Sequence, residues 1–189
     1  MYFPPVNFGY VEEGLYRCAH PCEINFPFLE RLKLKTLIYL FPDVESDVQL
    51  ESFLEDEGIQ LICLGEEGEG SGATKFRQLM HSVMQHVTHD LAMYCSHQAH
   101  MIAEETVLKA MSYIVNTSYY PILVTCSTGK HRTGTVMACL RKLQHWSLTS
   151  IFEEYRRFTK HKARVQNEQF IELFDTDLVT IPVNSPRYL

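Results

Sequence analysis

The run Ile122-Leu-Val-Thr-Cys126-Ser-Thr-Gly-Lys-His-Arg132-Thr-Gly134 combines a strand pattern, a tight turn and the start of a helix. Its first four residues are apolar or β-branched and predict a buried strand. Beyond Gly134, apolar residues recur at helical spacing, at Val136, Cys139, Leu140 and Leu143. Residues 126–132 must therefore turn from a strand into a helix within one short loop.

A loop of this shape favours an anion. Successive main-chain N–H groups point into the centre of such a turn, and the helix N-terminus adds the positive end of its dipole. Gly129 permits main-chain angles that other residues resist, and Arg132 presents a planar fork that can bind two oxygens of one phosphate. The pattern predicts a phosphate cradle over Ser127, Thr128 and Gly129, closed by Arg132.

Cys126 begins this loop, where N–H groups, helix dipole and guanidinium all favour a thiolate over a thiol. A thiolate in that position is a nucleophile toward phosphorus. Thr133 is expected to donate a hydrogen bond to the sulfur and help it leave in a second step. The predicted reaction is attack by Cys126, a phosphocysteine intermediate and its hydrolysis by water, with no metal and no cofactor.

The rest of the chain predicts an α/β fold. Residues 36–41 and 59–64 read as strands on either side of an amphipathic helix at 44–57, an order that favours parallel pairing. Residues 15–18 are a further short strand. We expect one domain over residues 1–189, built on a central, mostly parallel sheet of four to five strands flanked by helices.

Further elements are assigned from periodicity and from turn residues. Residues 1–14, rich in proline and glycine, predict an arm lying on the domain, and residues 179–189 a C-terminal tail. Helical patterns cover 24–34, 104–116 and 167–174. Another helix, with Ser150 and Glu153 as its capping box, buries Ile151, Tyr155 and Phe158.

Residues 65–103 form an atypical insertion. It opens with the glycine- and glutamate-rich loop 65–72 and continues into a segment rich in methionine and histidine. His81, His86 and His89 fall within one or two helical turns, close enough to be weighed as a zinc site. They lack both the His-Glu-x-x-His arrangement and a carboxylate partner, so a structural role is favoured over a metal site.

Composition narrows the function class. The 189 residues are 46% hydrophobic and carry a net charge of −6, which argues against general binding of nucleic acid or anionic membranes. Residues 126–165 nevertheless hold nine Lys or Arg and only two acidic residues, a pattern typical of a polyanion site or of solvated helix ends.

No apolar run approaches the roughly 18 residues of a membrane span. Six scattered cysteines indicate a reducing compartment, cytoplasmic or nuclear.

The loop Cys126-x5-Arg132-Thr133 resembles the signature of the cysteine-based protein tyrosine phosphatase superfamily. Several longer runs resemble the plant and fungal atypical dual-specificity phosphatases. They include Gly14-Leu-Tyr-Arg17, Asn25-Phe-Pro-Phe-Leu29, Gly129-Lys-His-Arg-Thr-Gly134, Cys139-Leu-Arg-Lys-Leu-Gln144 and Lys162-Ala-Arg-Val165. The resemblance covers residues 6–64 and 104–178 but not the segment between them.

This resemblance implies a compact protein-tyrosine-phosphatase-like fold and removal of the β-phosphate from the 5-diphosphate group of inositol pyrophosphates. It implies weaker action on phosphotyrosine and phosphoinositides. By resemblance, Cys126 is the nucleophile, Arg132 the phosphate clamp, and Lys130 and His131 the side chains that meet extra phosphates. Other positions that match the basic region of the family are Arg141, Lys142, Lys162 and Arg164.

The sequence departs from the family in three places. Thr125 stands where a histidine usually helps to hold the thiolate, and Ser127 and Thr128 stand where the family often has basic residues. The insertion also leaves the general acid, commonly an aspartate on a mobile loop, unidentified. The candidates for the general acid are Glu66, Glu67, Glu69 and Asp90, each more typical of a solvated surface.

Three functions remain open. The first is an inositol pyrophosphate phosphatase. The second is a phosphotyrosine or dual-specificity protein phosphatase, which needs a cleft one phosphotyrosine deep and an effective acid. The third is a pseudophosphatase that only binds phosphate ligands, against which the intact Cys126 and Arg132 argue.

Overall fold

The computed structural model describes residues 2–40, 47–65 and 102–189. Its strands are β1 (Gly9–Glu12), β2 (Leu15–Ala19), β3 (Thr36–Tyr39), β4 (Gln60–Cys63) and β5 (Ile122–Cys126). They form one sheet of order β1-β2-β5-β3-β4, in which β1 runs antiparallel to β2 and all other neighbours are parallel. The predicted α/β class and mostly parallel sheet are confirmed.

The helices are α1 (Phe26–Leu29), α2 (Val48–Asp56), α3 (Glu104–Ile114), α4 (His131–Leu143), α5 (Leu148–Thr159) and α6 (Val165–Leu173). Short 3-10 turns occupy Glu23–Asn25, Glu30–Leu32, Thr117–Tyr119, Lys160–Lys162 and Thr176–Leu178. Within the described ranges, no helix combines the length and the apolar character that crossing a membrane requires.

Strand β5 lies at the centre of the sheet. It pairs with β2 on one side and β3 on the other, and all five of its residues are buried. A strand covered on both faces needs a continuous apolar run, which explains why its sequence does not alternate. Two buried clusters enclose the sheet, one around Val124 and Met111 and one around Leu37 and Leu123. Cys126 therefore ends the central strand, at the sheet edge where α/β proteins bind ligands.

The N-terminal segment differs from the predicted arm, because Gly9–Glu12 is an edge strand paired with β2. The run Gly-Tyr-Val-Glu is too short and polar to predict a strand alone, and it gains its hydrogen bonds from β2. A tight turn containing Gly14, with φ of +72°, joins the two strands. Residues 24–34 likewise form α1 between two 3-10 turns rather than one helix.

Helix α5 begins before the predicted cap. The Ser147 hydroxyl accepts a hydrogen bond from the Ser150 main-chain N–H, so Ser147 is the N-cap and the predicted capping box at Ser150 and Glu153 is wrong. Ile151 and Tyr155 are buried as predicted, whereas Phe158 is half-buried. The acid candidates Glu66, Glu67, Glu69 and Asp90 and the histidines His81, His86 and His89 lie outside the described residues.

Candidate active site

The predicted phosphate loop leads from β5 into α4, since Cys126 is the last residue of the strand and His131 the first of the helix. It opens into a pocket of about 250 Å³. The pocket is lined by Cys126, Ser127, Thr128, Lys130, His131, Arg132, Lys162 and Arg164. The structure thus brings the loop together with the basic segment 162–164, and most of the sequence-predicted site residues share one pocket.

Gly129 lies in the middle of the loop with φ of +63°. A Cβ at this position would lie 2.5 Å from the Ala19 main-chain nitrogen and 2.5 Å from the Cys18 carbonyl carbon. The end of β2 therefore passes directly beneath the loop, and glycine is required both by conformation and by space.

Two side chains to which the sequence assigned no role hold the loop. Arg17, in β2, is 1% exposed and donates from Nη2 to the Gly129 carbonyl at 2.8 Å. Its guanidinium lies 3.7 Å from the centroid of the Phe158 ring. Asn7 in the N-terminal segment donates to the Thr128 carbonyl at 2.9 Å.

The buried charge of Arg17 acts on the nucleophile's surroundings. Burial lowers the pKa of Arg17 to about 10, while the negative charges of Glu154 and Cys126 oppose that change. At neutral pH the guanidinium keeps its proton, so a cation stands beneath the phosphate loop. In the sequence, Arg17 stands inside an otherwise uncharged strand and ends the run Gly14-Leu-Tyr-Arg17, but neither feature indicates this role.

Cys126 is 2% exposed, and the residue before it is not part of the pocket lining. Thr125 is fully buried, and its hydroxyl donates to the Cys18 carbonyl at 3.3 Å. Burial raises the pKa of Cys18 to about 12, although the Thr125 hydroxyl works against that rise. Cys18 therefore remains a thiol next to the reactive strand end.

Thr133 occupies the first turn of α4 and is fully buried. Its hydroxyl has no hydrogen-bond partner within the described ranges. A buried hydroxyl left unpaired costs about 1–3 kcal/mol, and a catalytic role is one of the reasons for which such a group is retained. This agrees with the predicted role of Thr133 as a donor to sulfur.

The match to a known protein family agrees with this geometry. Residues 2–187 match the sequence pattern described as "Tyrosine phosphatase family". The chain belongs to this family. It is a hydrolase of phosphate esters, and the predicted resemblance to cysteine-based phosphatases is confirmed.

Individual relatives cover most of the phosphatase. It is 47% identical to "Probable tyrosine-protein phosphatase DG1060" of Dictyostelium discoideum, over 100% of this chain and 96% of that protein. It is 35% identical to "Inositol diphosphatase DSP4" of Arabidopsis thaliana, over 93% of this chain and 75% of that protein. The crystal structure of the core catalytic domain of PP-IP phosphatase SIW14 from S. cerevisiae superposes with a TM-score of 0.72 at 38% identity, covering 94% and 90% of the two chains.

The structure corrects the predicted role of Arg141 in the phosphatase. Its side chain is 4% exposed and lies outside the pocket lining. It donates to the Glu154 carboxylate at 2.9 Å, to the Glu12 carboxylate and to the Val11 carbonyl at 3.0 Å. These bonds join α4 to α5 and β1, so Arg141 supports the scaffold.

Lys142 is corrected in the same way. Its ammonium donates to the main-chain carbonyls of Ile171, at 3.2 Å, and Phe174, at 2.8 Å, at the end of α6. A cation at a helix C-terminus satisfies free carbonyls and complements the helix dipole. Lys142 matches a basic position of the family, but its ammonium group binds main-chain carbonyls of the protein itself.

A polar chain that the sequence analysis missed lies at the same edge of the sheet. His20, just after β2, places Nδ1 3.1 Å from the Tyr39 hydroxyl and Nε2 2.9 Å from Oδ2 of Asp47. Burial, and then the negative charge of Cys126, raises the pKa of Tyr39 to about 12. The three residues come from the ends of three different elements, so no local pattern links them.

Proposed function

We propose that this phosphatase removes the β-phosphate from an inositol pyrophosphate through a phosphocysteine intermediate. The observation that carries the proposal is the lining of the pocket. Five of its side chains are basic, and none of the described residues that line it carries a carboxylate. Such a site suits a ligand with several phosphates. Relatives named inositol diphosphatases, from Arabidopsis thaliana and Saccharomyces cerevisiae, support the same substrate class.

The first step forms the covalent intermediate. The Cys126 thiolate attacks the β-phosphorus, and the bond from that phosphorus to the bridging oxygen breaks. The bridging oxygen leaves with the inositol phosphate. Loop N–H groups and the Arg132 guanidinium stabilise the charge on the three equatorial oxygens, where preorganised donors have their largest effect.

The second step releases phosphate. Water attacks the phosphorus of the phosphocysteine, and the bond to sulfur breaks. Both water protons leave with inorganic phosphate or pass to solvent, and Cys126 returns as a thiolate. The Thr133 hydroxyl, which is paired with no other described residue, donates to the departing sulfur.

The properties of the leaving group make a pyrophosphate a better substrate for this site than phosphotyrosine. A phosphate is a better leaving group than a tyrosinate and needs less help from a general acid. The described lining offers lysine, arginine and histidine but no carboxylic acid. Lys162 and Arg164 line the same pocket as the catalytic loop, where they can bind phosphates that do not react.

The test is phosphate release from 5-diphosphoinositol pentakisphosphate by the purified chain, without added metal. Cys126→Ser and a phosphotyrosine peptide are assayed in parallel. We expect release by the wild type, none by the variant and poor turnover of the peptide. Equal or faster turnover of the peptide would instead establish a protein phosphatase. Binding of the polyphosphate without turnover of either substrate would establish a binding module.

A matched pair of double variants tests whether Lys162 and Arg164, the basic wall of the pocket, bind the substrate. Lys162→Gln/Arg164→Gln removes two charges from the pocket. Arg157→Gln/Arg187→Gln removes two exposed charges outside its lining. We expect the first pair to raise KM for the inositol pyrophosphate about tenfold or more and the second to raise it less than about twofold, since screened surface charges act weakly. Equal increases in KM would show that Lys162 and Arg164 act only through the net charge of the protein.

We also propose that the protein works in a reducing compartment, the cytoplasm or the nucleus. The described chain holds five free cysteines, one of them the nucleophile. A thiolate nucleophile must stay reduced to act. A fluorescent fusion that accumulates only in a secretory compartment would contradict this.

A further inference from the structure

The two walls of the pocket come from distant parts of the chain. One is the phosphate loop, and the other is the segment from the 3-10 turn Lys160–Lys162 to Arg164, the N-cap of α6. A ligand with several phosphates bridges the walls, so their separation has to be fixed. Tyr155 in α5 stands between them and is 1% exposed.

The Tyr155 ring packs against the start of α4. A Cβ built on Gly134 would lie 3.0 Å from two atoms of the ring, Cδ2 and Cε2. The absence of a side chain at Gly134 thus lets the ring approach the first turn of the helix closely. From there its hydroxyl reaches both walls.

Two hydrogen bonds of that hydroxyl connect the walls. It lies 3.2 Å from Nδ1 of His131, which lines the loop side. It also accepts from the side-chain amide of Asn167 at 2.8 Å. Asn167 is in the first turn of α6, is 3% exposed, and follows Arg164 by three residues.

These two bonds hold the histidine ring against α6. Because Asn167 Nδ2 can only donate, the tyrosine oxygen accepts from it and keeps its own proton. In the tautomer of His131 that carries its proton on Nε2, the phenol donates that proton to Nδ1. Burial raises the pKa of Tyr155, against the effect of the Asn167 hydrogen bond, so the phenol remains a donor at neutral pH.

We propose that Tyr155 is a specificity-determining positioning residue, whose hydroxyl ties His131 to the start of α6 and so sets the spacing between the catalytic loop and Lys162 and Arg164. The inference rests on the proposed function, because only a ligand with several phosphates uses both walls. Tyr155 therefore governs binding of the unreactive phosphates more than the chemistry at Cys126.

The test compares a substrate with one phosphate and a ligand with six. Kinetics are measured with para-nitrophenyl phosphate, and inositol hexakisphosphate is titrated as a competitive inhibitor. Tyr155→Phe keeps the ring and removes the hydroxyl. Tyr119→Phe, in the 3-10 turn Thr117–Tyr119 outside the pocket lining, is the matched control.

For Tyr155→Phe we expect the inhibition constant of inositol hexakisphosphate to rise about fivefold to tenfold, the factor that loss of one or two hydrogen bonds gives. The change in kcat/KM for para-nitrophenyl phosphate is expected to be several times smaller. Tyr119→Phe should change neither quantity. An equal loss on both measures, or an unchanged inhibition constant, would overturn the inference.

Asn167→Ala provides a second route that leaves the phenol in place. It should raise the inhibition constant in the same direction as Tyr155→Phe, and it is decisive if Tyr155→Phe fails to fold. Direct assay of 5-diphosphoinositol pentakisphosphate separates the two proposals. If the wild type does not cleave it but the inhibition constant still shifts, the proposed function fails and the positioning role stands. If the wild type cleaves it and the constant does not shift, the positioning role fails alone.

Discussion

The Arg17 guanidinium donates a hydrogen bond of 2.8 Å to the Gly129 carbonyl, inside the loop that begins with Cys126. A buried cation is costly unless its surroundings compensate for it. Here the compensation comes from the Phe158 ring, a loop carbonyl and the negative charges of Glu154 and Cys126. The same residue therefore shapes the phosphate loop and favours negative charge within it.

Replacing Arg17 tests both roles. Arg17→Met keeps much of the volume but removes the charge and the donor, and Arg17→Lys keeps the charge but loses the fork. A hydrogen bond to a charged group contributes about 1.5–3 kcal/mol, so we expect Arg17→Met to lower kcat/KM for para-nitrophenyl phosphate at least about tenfold. Arg17→Lys should lie between that variant and the wild type.

The electrostatic role has its own measurement, the rate of Cys126 alkylation by iodoacetate at pH 7. The rate should fall in Arg17→Met and fall less in Arg17→Lys, because a nearby cation favours both the thiolate and the approach of the iodoacetate anion. An unchanged rate in Arg17→Met, with activity still reduced, would leave Arg17 a purely structural role.

Alanine substitutions at two glycines with nearly the same backbone conformation distinguish the cost of backbone strain from the cost of a steric clash. Gly129 and Gly58 have φ of +63° and +65°. A Cβ at Gly58 meets no atom within 4 Å, whereas one at Gly129 meets the main chain of β2 at 2.5 Å. By urea unfolding, Gly58→Ala should cost about 1 kcal/mol, the penalty for a left-handed residue.

Gly129→Ala carries the same conformational penalty and a collision with main chain that cannot move aside. We expect it to cost at least about 2 kcal/mol more than Gly58→Ala and to abolish measurable phosphatase activity. Similar losses in the two variants would show that β2 yields to the loop, and that the close approach is not required.

Features of this protein that depend on residues close together in the sequence could be predicted, and those that depend on distant residues could not. The strand, loop and helix around Cys126 are encoded within one short stretch, so apolar pattern, glycine and arginine together predicted these elements and the nucleophile. The contact between Arg17 and Gly129 spans 112 residues, and no pattern near either one contains it. Strand β1 was missed for a related reason, since its pairing partner β2 supplies its stability.

The basic positions show the limit of matching residue types. Lys162, Arg164, Arg141 and Lys142 carry the same charge in the sequence, yet only the first two line the pocket. The difference is set by carboxylates and carbonyls that folding brings to Arg141 and Lys142 from β1, α5 and α6. A basic residue therefore indicates a ligand only once its partners within the fold are known.

Arg141 accordingly affects stability more than binding. Breaking a buried ion pair by removing one partner costs about 3–5 kcal/mol, because the remaining carboxylates lose their compensation. We expect Arg141→Met to lower the free energy of unfolding by about that amount. The KM of the folded variant for para-nitrophenyl phosphate should stay within about twofold of wild type, since Arg141 lies outside the pocket lining. A large rise in KM with normal stability would return Arg141 to the binding site.

The pair of His20 and Asp47 predicts a specific acid sensitivity. The hydrogen bond from His20 is the main reason that the pKa of Asp47 lies below its usual range. A carboxyl group with a depressed pKa in the folded state binds fewer protons there than in the unfolded chain. Its contribution to stability is therefore complete above the unfolded value of about 4 and is lost as the pH falls through the lower folded value.

Asp47→Asn isolates this contribution, because asparagine can still cap α2 but does not titrate. We expect the wild type to be more stable than Asp47→Asn in urea at pH 6, and the difference to shrink as the pH falls below about 4. Asp56→Asn, which removes an exposed carboxylate at the other end of α2, should show no such convergence. If the gap between wild type and Asp47→Asn stays constant down to the acid transition, the carboxylate of Asp47 acts only as a helix cap and His20 contributes nothing to it.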